Sequence, residues 1–241
     1  MIIFELLIIF LAGVTKGLTS FGLALVSVPI LLIFLSPKTV VPLILIYDAL
    51  INMIILFESR KWVDLKRIWP LMISGIIGIP FGTYPLMVLD IRIYKVFIGF
   101  IITFFATAFL MGFNKKIKNE KLSFTTIGFL SGLLSGSTAM SGPPIILFFT
   151  NQGVTKRVFR ANVVAYFIVL DLATVFAFVL SGLITEEVIN YAILLIPALI
   201  FGTFTGIKLV HKVDEKLFRN ITLLVVTIAG LVSIASGLGL F

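Results

Sequence analysis

Two apolar runs of this chain, 2–35 and 122–149, are too long for a single bilayer crossing and are broken near the middle by glycine, serine and threonine. They are also copies of one another. FLAGVTKG at Phe10 to Gly17 returns as FLSGLLSG at Phe129 to Gly136, 119 positions later. Each copy continues into a small polar stretch, LTSFG and then STAMSG, followed by proline and a further apolar run. A doubled, broken apolar segment predicts a membrane protein built from two homologous halves, with a binding site where the repeats meet.

Composition supports the membrane class. The chain is 60% hydrophobic and 12% charged, with a mean hydropathy of +1.20. That leaves too few polar residues to cover a water-soluble globule of 241 residues. Six further runs, near 39–57, 68–89, 94–113, 161–182, 189–207 and 218–240, approach or exceed the roughly 20 helical residues that a hydrocarbon core requires. A net charge of +8 does not point to nucleic acid here, because lysine and arginine fall in short loops between apolar runs. The absence of cysteine excludes disulfides and thiolate metal sites, and the sole histidine, His211, lies in a basic loop. No metal, haem or other cofactor is expected. The first segment lacks the basic start and small-residue cleavage site of a signal peptide and is expected to stay in the mature protein.

Charge counting addresses how the broken runs lie. If each crossed once, basic residues would divide 8 against 10 and specify no orientation. If each returned to its own side, the clusters at 60–67, 115–121, 156–160 and 208–219 would share one face. That face would carry 15 lysines and arginines, against Lys38, Arg92 and Lys95 on the other. The expected fold is therefore all-α and polytopic, with two inverted-topology repeats, each a broken hairpin followed by three transmembrane helices. The N-terminal repeat covers 1–113, a basic cytoplasmic linker 114–121, and the C-terminal repeat 122–241. Both termini fall outside. Gly82-Thr83 aligns with Gly202-Thr203, KVF at 95–97 with KLF at 216–218, and Asp48 in LIYDAL with Asp171 in IVLDLA.

The breaks are the candidate site, since irregular backbone at membrane depth survives only beside protein or a wet cavity. The first tip runs from Thr15 to Gly22 and the second from Ser135 to Gly142. Glycine permits close backbone approach, and a returning half-helix turns its positive end inward, a combination that favours an anion. The substrate-binding candidates are Lys16, Thr19, Ser20, Gly22, Ser137, Thr138, Ser141 and Gly142. Gly13, Gly17, Gly132 and Gly136 also fit small-xxx-small packing faces, with the hydroxyls bonded internally. Lys16 is expected to meet a substrate oxygen, to snorkel or to pair with an aspartate. Asp48 and Asp171, each inside an apolar run, are the coupling candidates as charge partners or proton carriers, or else neutral acids at an interface. Glu5 is expected at the membrane interface. Asn52, Asn162 and Tyr166 fit either a cavity or a helix contact, and Pro70, Pro80, Pro85 and Pro197 fit kinks.

LAGVTKGLTSFGLALVSVPIL, its return as GFLSGLLSGSTAMSGPPIILFF and the following KRVFRANVVAYFIVLDL resemble the TauE/SafE sulfite exporter family over nearly the whole chain. The resemblance implies a permease for small sulfur-containing anions such as sulfite, sulfonates or sulfoacetate, in a bacterial or archaeal inner membrane. One departure is Thr19-Ser20-Phe21, where the family often has more glycine. The partners expected are a small anion and the lipid bilayer, and a homodimer is one assembly open to the chain. No phosphate-binding loop is present, so a secondary carrier with alternating access between the halves is expected. An anion channel and a carrier of a non-sulfur organic anion stand as alternatives; an intramembrane enzyme lacks a histidine or metal set beside its acids.

Overall fold

A computed structural model describes residues 2–110, 120–150, 156–209, 224, 227–228 and 230–239, and within these the secondary structure is helical throughout. The helices are α1 (Ile2–Thr19), α2 (Leu23–Leu31), α3 (Pro37–Ser59), α4 (Leu65–Val88), α5 (Ile91–Leu110), α6 (Glu120–Thr138), α7 (Gly142–Thr150), α8 (Lys156–Leu180) and α9 (Glu186–Leu209). A 3-10 turn at Arg60–Trp62 follows α3, and a further helical stretch covers 230–237. Five of these helices, α1, α3, α4, α8 and α9, contain stretches long and apolar enough to cross a membrane. The expected linker at 114–121 and the start of the expected helix at 218–240 lie largely outside the described residues.

The broken runs resolve into unequal arms. Each has a long first helix, of 18 residues in α1 and 19 in α6, and a short second one of 9 residues. Gly13 and Gly17 do not interrupt α1; the break comes only at Ser20 to Gly22. Pro29, Pro42, Pro70, Pro80, Pro85 and Pro197 all sit inside continuous helices.

The chain forms two compact units that interleave along the sequence. One comprises Met1–Ile44, Val88–Phe113 and Thr185–Phe241, and the other Leu45–Met87 and Asn114–Ile184. In the first unit α1 lies along α9, with their backbones in direct apposition. A Cβ on Gly17 would come 2.4 Å from the Thr203 carbonyl oxygen, and one on Gly206 2.2 Å from that of Val14. Small residues at four-residue spacing thus do what they do between membrane helices, letting backbones approach closely. In the same unit α5 meets the stretch at 230–237, where the Ser233 hydroxyl donates to the Lys95 carbonyl at 3.0 Å.

In the second unit α6 lies along α4 by the same device. A Cβ on Gly132 would stand 1.8 Å from the Gly75 carbonyl oxygen, and one on Gly82 2.0 Å from that of Leu133. Phe124, Phe148, Phe149 and Phe159 form a chain of edge-on rings joining α6, α7 and α8. The Arg157 guanidinium stacks over Trp62 at 5.6 Å from the ring centre, and Asn162 Oδ1 accepts the Asp64 backbone N–H at 2.7 Å. These contacts fasten the turn after α3 to the start of α8.

Each broken run therefore packs on a helix from the other half of the sequence, α1 on α9 and α6 on α4. The packing also shifts the sequence alignment of the halves by one turn. Gly202 covers the carbonyl of Phe10 and Gly206 that of Val14, while Gly78 covers Phe129 and Gly82 covers Leu133. Since Phe10 aligns with Phe129 and Val14 with Leu133, the packing counterpart of Gly82 is Gly206 rather than Gly202. A slip of four residues keeps a helix face in place, so the pattern alone does not distinguish the two alignments.

Candidate functional site

At the first tip α1 ends on Thr19, and the chain turns through Ser20 and Gly22, at φ 66° and 99°, before α2 starts. The Thr19 hydroxyl holds the turn together. It donates to the Thr15 carbonyl one turn back at 2.8 Å, accepts the Phe21 N–H at 3.3 Å, and touches the Phe21 carbonyl. The Ser20 N–H closes the helix onto the Lys16 carbonyl at 2.8 Å.

The second tip repeats this turn. α6 ends on Thr138, Ala139 takes φ 56°, and the Met140 N–H reaches the Thr138 hydroxyl at 3.3 Å. The Thr138 hydroxyl donates to the Leu134 carbonyl at 2.8 Å, and the Ala139 N–H closes onto Ser135 at 3.0 Å. An L-residue in the left-handed region costs about 1–2 kcal/mol. Both breaks carry such a residue at matching positions, so the repeat extends to backbone conformation.

Three of the hydroxyl protons at the tips are engaged with backbone. Thr19, Ser137 and Thr138 each donate to the carbonyl four residues earlier. Ser131 donates to the Ser141 carbonyl at 2.6 Å, which ties the exit of the second tip to α6. The Thr19, Ser137 and Thr138 hydroxyls are thereby spent on the fold, which leaves backbone N–H groups, Lys16, Ser20 and Ser141 as the other donor types at the tips. The two tips differ here. α2 begins with LAL, every residue carrying an N–H, and Gly22 before it makes no side-chain cap. α7 begins with Gly142, Pro143 and Pro144, and the prolines have no N–H to offer. Lys16 is 1% exposed, in a stretch of α1 where Thr15 and Gly17 on either side of it are buried as well. The first tip is thus the richer in donors and positive charge.

The repeat-equivalent acids lie together on one amide. Asn52, fully buried on α3 one turn beyond Asp48, donates through Nδ2 to Asp48 Oδ2 at 3.2 Å and to Asp171 Oδ2 on α8 at 2.7 Å. Asp48 and Asp171 are themselves buried. One turn beyond Asp171, the Thr174 hydroxyl donates to the Leu170 carbonyl at 2.7 Å and receives Ser135 of the second tip at 3.0 Å. Tyr166, also buried, places its hydroxyl 3.5 Å from the Gly128 carbonyl. The second tip and the acid pair are therefore joined through α8. Asn52, which in the sequence fits either a cavity or a helix contact, here makes the contact between α3 and α8; its link to Asp48 is signalled by their spacing of four on a helical run.

Glu5 is fully buried within the protein, with neither carboxylate oxygen hydrogen-bonded. Packing of α1 on α9 covers its face of the first turns. Asn162 holds the Asp64 backbone, with its Nδ2 unbonded, and so acts as a local fastener. Among the described residues no group of three acids or histidines could hold a metal ion.

The family model for the sulfite exporter TauE/SafE matches residues 5–233, nearly the whole chain. The chain belongs to the TauE/SafE family. This TauE/SafE protein is accordingly a multi-pass membrane protein of a transporter family, in keeping with its apolar helices. No curated protein and no solved structure matches it.

Proposed function

We propose that this TauE/SafE protein is a secondary transporter of small sulfur-containing anions, such as sulfite or a sulfonate. The observation that carries the reading is the pair of matched helix breaks, each made by a left-handed residue and a threonine-capped turn within a run of membrane-type sequence. Such breaks release backbone donors and a helix N-terminus at membrane depth, which suits an oxyanion. Lys16 and the N–H groups opening α2 are the principal anion contacts. Thr19, Ser20, Gly22, Ser137, Thr138, Ser141 and Gly142 shape the tips. The hydroxyl oxygens of Thr19 and Thr138 serve that purpose by holding the turns.

Alternating access follows, in this reading, from exchange of conformation between two inverted sequence repeats, 1–113 and 122–241, joined by the basic linker 114–121. The linker faces the cytoplasm and both termini the outside of the inner membrane, because that arrangement collects 15 basic residues on one face against three. Asp48 and Asp171 couple movement to protons, since acids buried in a span are costly and are retained where they carry charge or protons.

The test is uptake of labelled sulfite and sulfonates into proteoliposomes, with and without a pH gradient. Saturable uptake that other oxyanions compete for, lost in Lys16→Ala, supports the reading. Linear conductance would instead make the protein a channel. No competition by any oxyanion together with a silent Lys16→Ala would end the site assignment. Unchanged pH dependence with both aspartates replaced by asparagine would end the proton coupling.

A further inference from the structure

Asp48 and Asp171 are usually separable candidates for a coupling role, one from each repeat. Their geometry says otherwise. One nitrogen, Asn52 Nδ2, donates to Oδ2 of both, at 3.2 and 2.7 Å. A primary amide has two N–H protons, and here each goes to a different carboxylate. The other end of the amide, Asn52 Oδ1, is buried without a hydrogen-bond partner. The orientation of the amide is therefore set by the two acids.

We propose that Asn52 is a positioning residue that makes Asp48 and Asp171 act as one coupling unit, its amide turning when either acid gains a proton. The inference rests on the transporter reading given above. With both carboxylates ionised, the –NH2 end satisfies both. A carboxyl that has taken up a proton keeps an acceptor oxygen but adds an O–H donor, which the –NH2 end cannot accept and the carbonyl end can. Rotation about the Asn52 side chain then brings Oδ1 to the protonated acid. The proton stays on the carboxyl oxygen, and no other covalent bond changes. A buried carbonyl oxygen that lacks a partner in one state gains one in the other.

The surroundings carry this turn to a tip. On α8, Tyr166 is a buried titratable side chain near Asp171, and Thr174 one turn away meets Ser135. From α6 come the hydroxyls of Ser131 and Ser135, and α7 bears no acid or base. On α3 the neighbour of Asp48 is buried Tyr47, and in the first turn of α4 Lys66 is exposed and Arg67 half-buried. A change at Asp171 is thus one helical turn from the side chain that holds the second tip.

The experiment compares wild type with Asp48→Asn, Asp171→Asn, the double variant, Asn52→Leu and the milder Asn52→Ser, as full chains in proteoliposomes. Labelled sulfite and sulfonate uptake is measured with and without an imposed pH gradient. The proposal expects each single acid variant and Asn52→Leu to lose stimulation by the gradient while uptake without it persists, and the double variant to lose no more than either single. Independent losses that add in the double variant, or full gradient stimulation retained in both Asn52 variants, would overturn it. If wild type takes up none of these anions, the transporter reading fails by itself. The coupling unit is then read by solid-state NMR of protein carrying 15N in asparagine side chains. The amide signal absent from Asn52→Ser should shift with pH in wild type and move in both Asp48→Asn and Asp171→Asn; a signal indifferent to either substitution overturns the proposal.

Discussion

Ser20 and Ala139, one repeat length apart, adopt the same left-handed backbone conformation, at φ 66° and 56°. Each follows a threonine whose hydroxyl accepts the N–H two residues on. Relieving the strain without disturbing that bond is straightforward. Ser20→Gly and Ala139→Gly should leave stability unchanged or raise it by up to about 1 kcal/mol, because glycine enters this region freely but loses more chain entropy. Ala139→Val should lower it by about 1–2 kcal/mol. Unfolding midpoints in detergent give the comparison, and a stabilising Ala139→Val would contradict it.

Backbone apposition and backbone conformation make opposite demands at two other glycines. Gly132→Ala puts a methyl against the Gly75 carbonyl, where 1.8 Å is available, so α6 and α4 must separate. A cost of roughly 1–3 kcal/mol or more is expected from such overpacking. Gly182 has open space around it but φ +68°, so Gly182→Ala should cost only about 1 kcal/mol, through strain alone. Thermal unfolding of the two variants side by side should rank them in that order.

Asn162 fastens the turn after α3 to α8 by accepting the Asp64 N–H at 2.7 Å. Asn162→Leu fills the volume but removes the acceptor, and should destabilise by about 0.5–1.5 kcal/mol, the range for one lost hydrogen bond whose donor water can reach. Gradient stimulation of uptake should be untouched, which separates this residue from Asn52. Loss of stimulation in Asn162→Leu at wild-type stability would contradict the assignment.

Glu5 places a carboxylate in full burial with neither oxygen hydrogen-bonded. Replacing it by glutamine removes the charge and keeps the shape. Glu5→Gln should therefore raise the unfolding midpoint at neutral pH or leave it unchanged, since an uncompensated buried charge is costly. A marked fall would show that the charge has a structural use.

Much of the architecture is legible without coordinates. Run lengths announce membrane helices, and the doubled FL-x-x-x-x-x-G segment marks where the helices break. Less legible is where each break begins. Gly13 and Gly17, which fit a packing face as well as a break, lie inside α1 on the face where α9 approaches so closely that only glycine fits. The tip hydroxyls look like substrate donors, yet Thr19, Ser137 and Thr138 spend their protons on carbonyls four residues back.

The sequence by itself determined the membrane class, the duplication and the position of the two breaks, since these depend on hydrophobic run length and on residues adjacent in the chain. Only the tertiary structure decided that α1 pairs with α9 and α6 with α4, in a register one turn from the best sequence alignment. Small residues repeating every four positions present the same face after such a slip, so only backbone contact selects among the registers. Likewise, Asp48 and Asp171 read as separate acids in the chain and meet on Asn52 because α3 and α8 bring them to one amide.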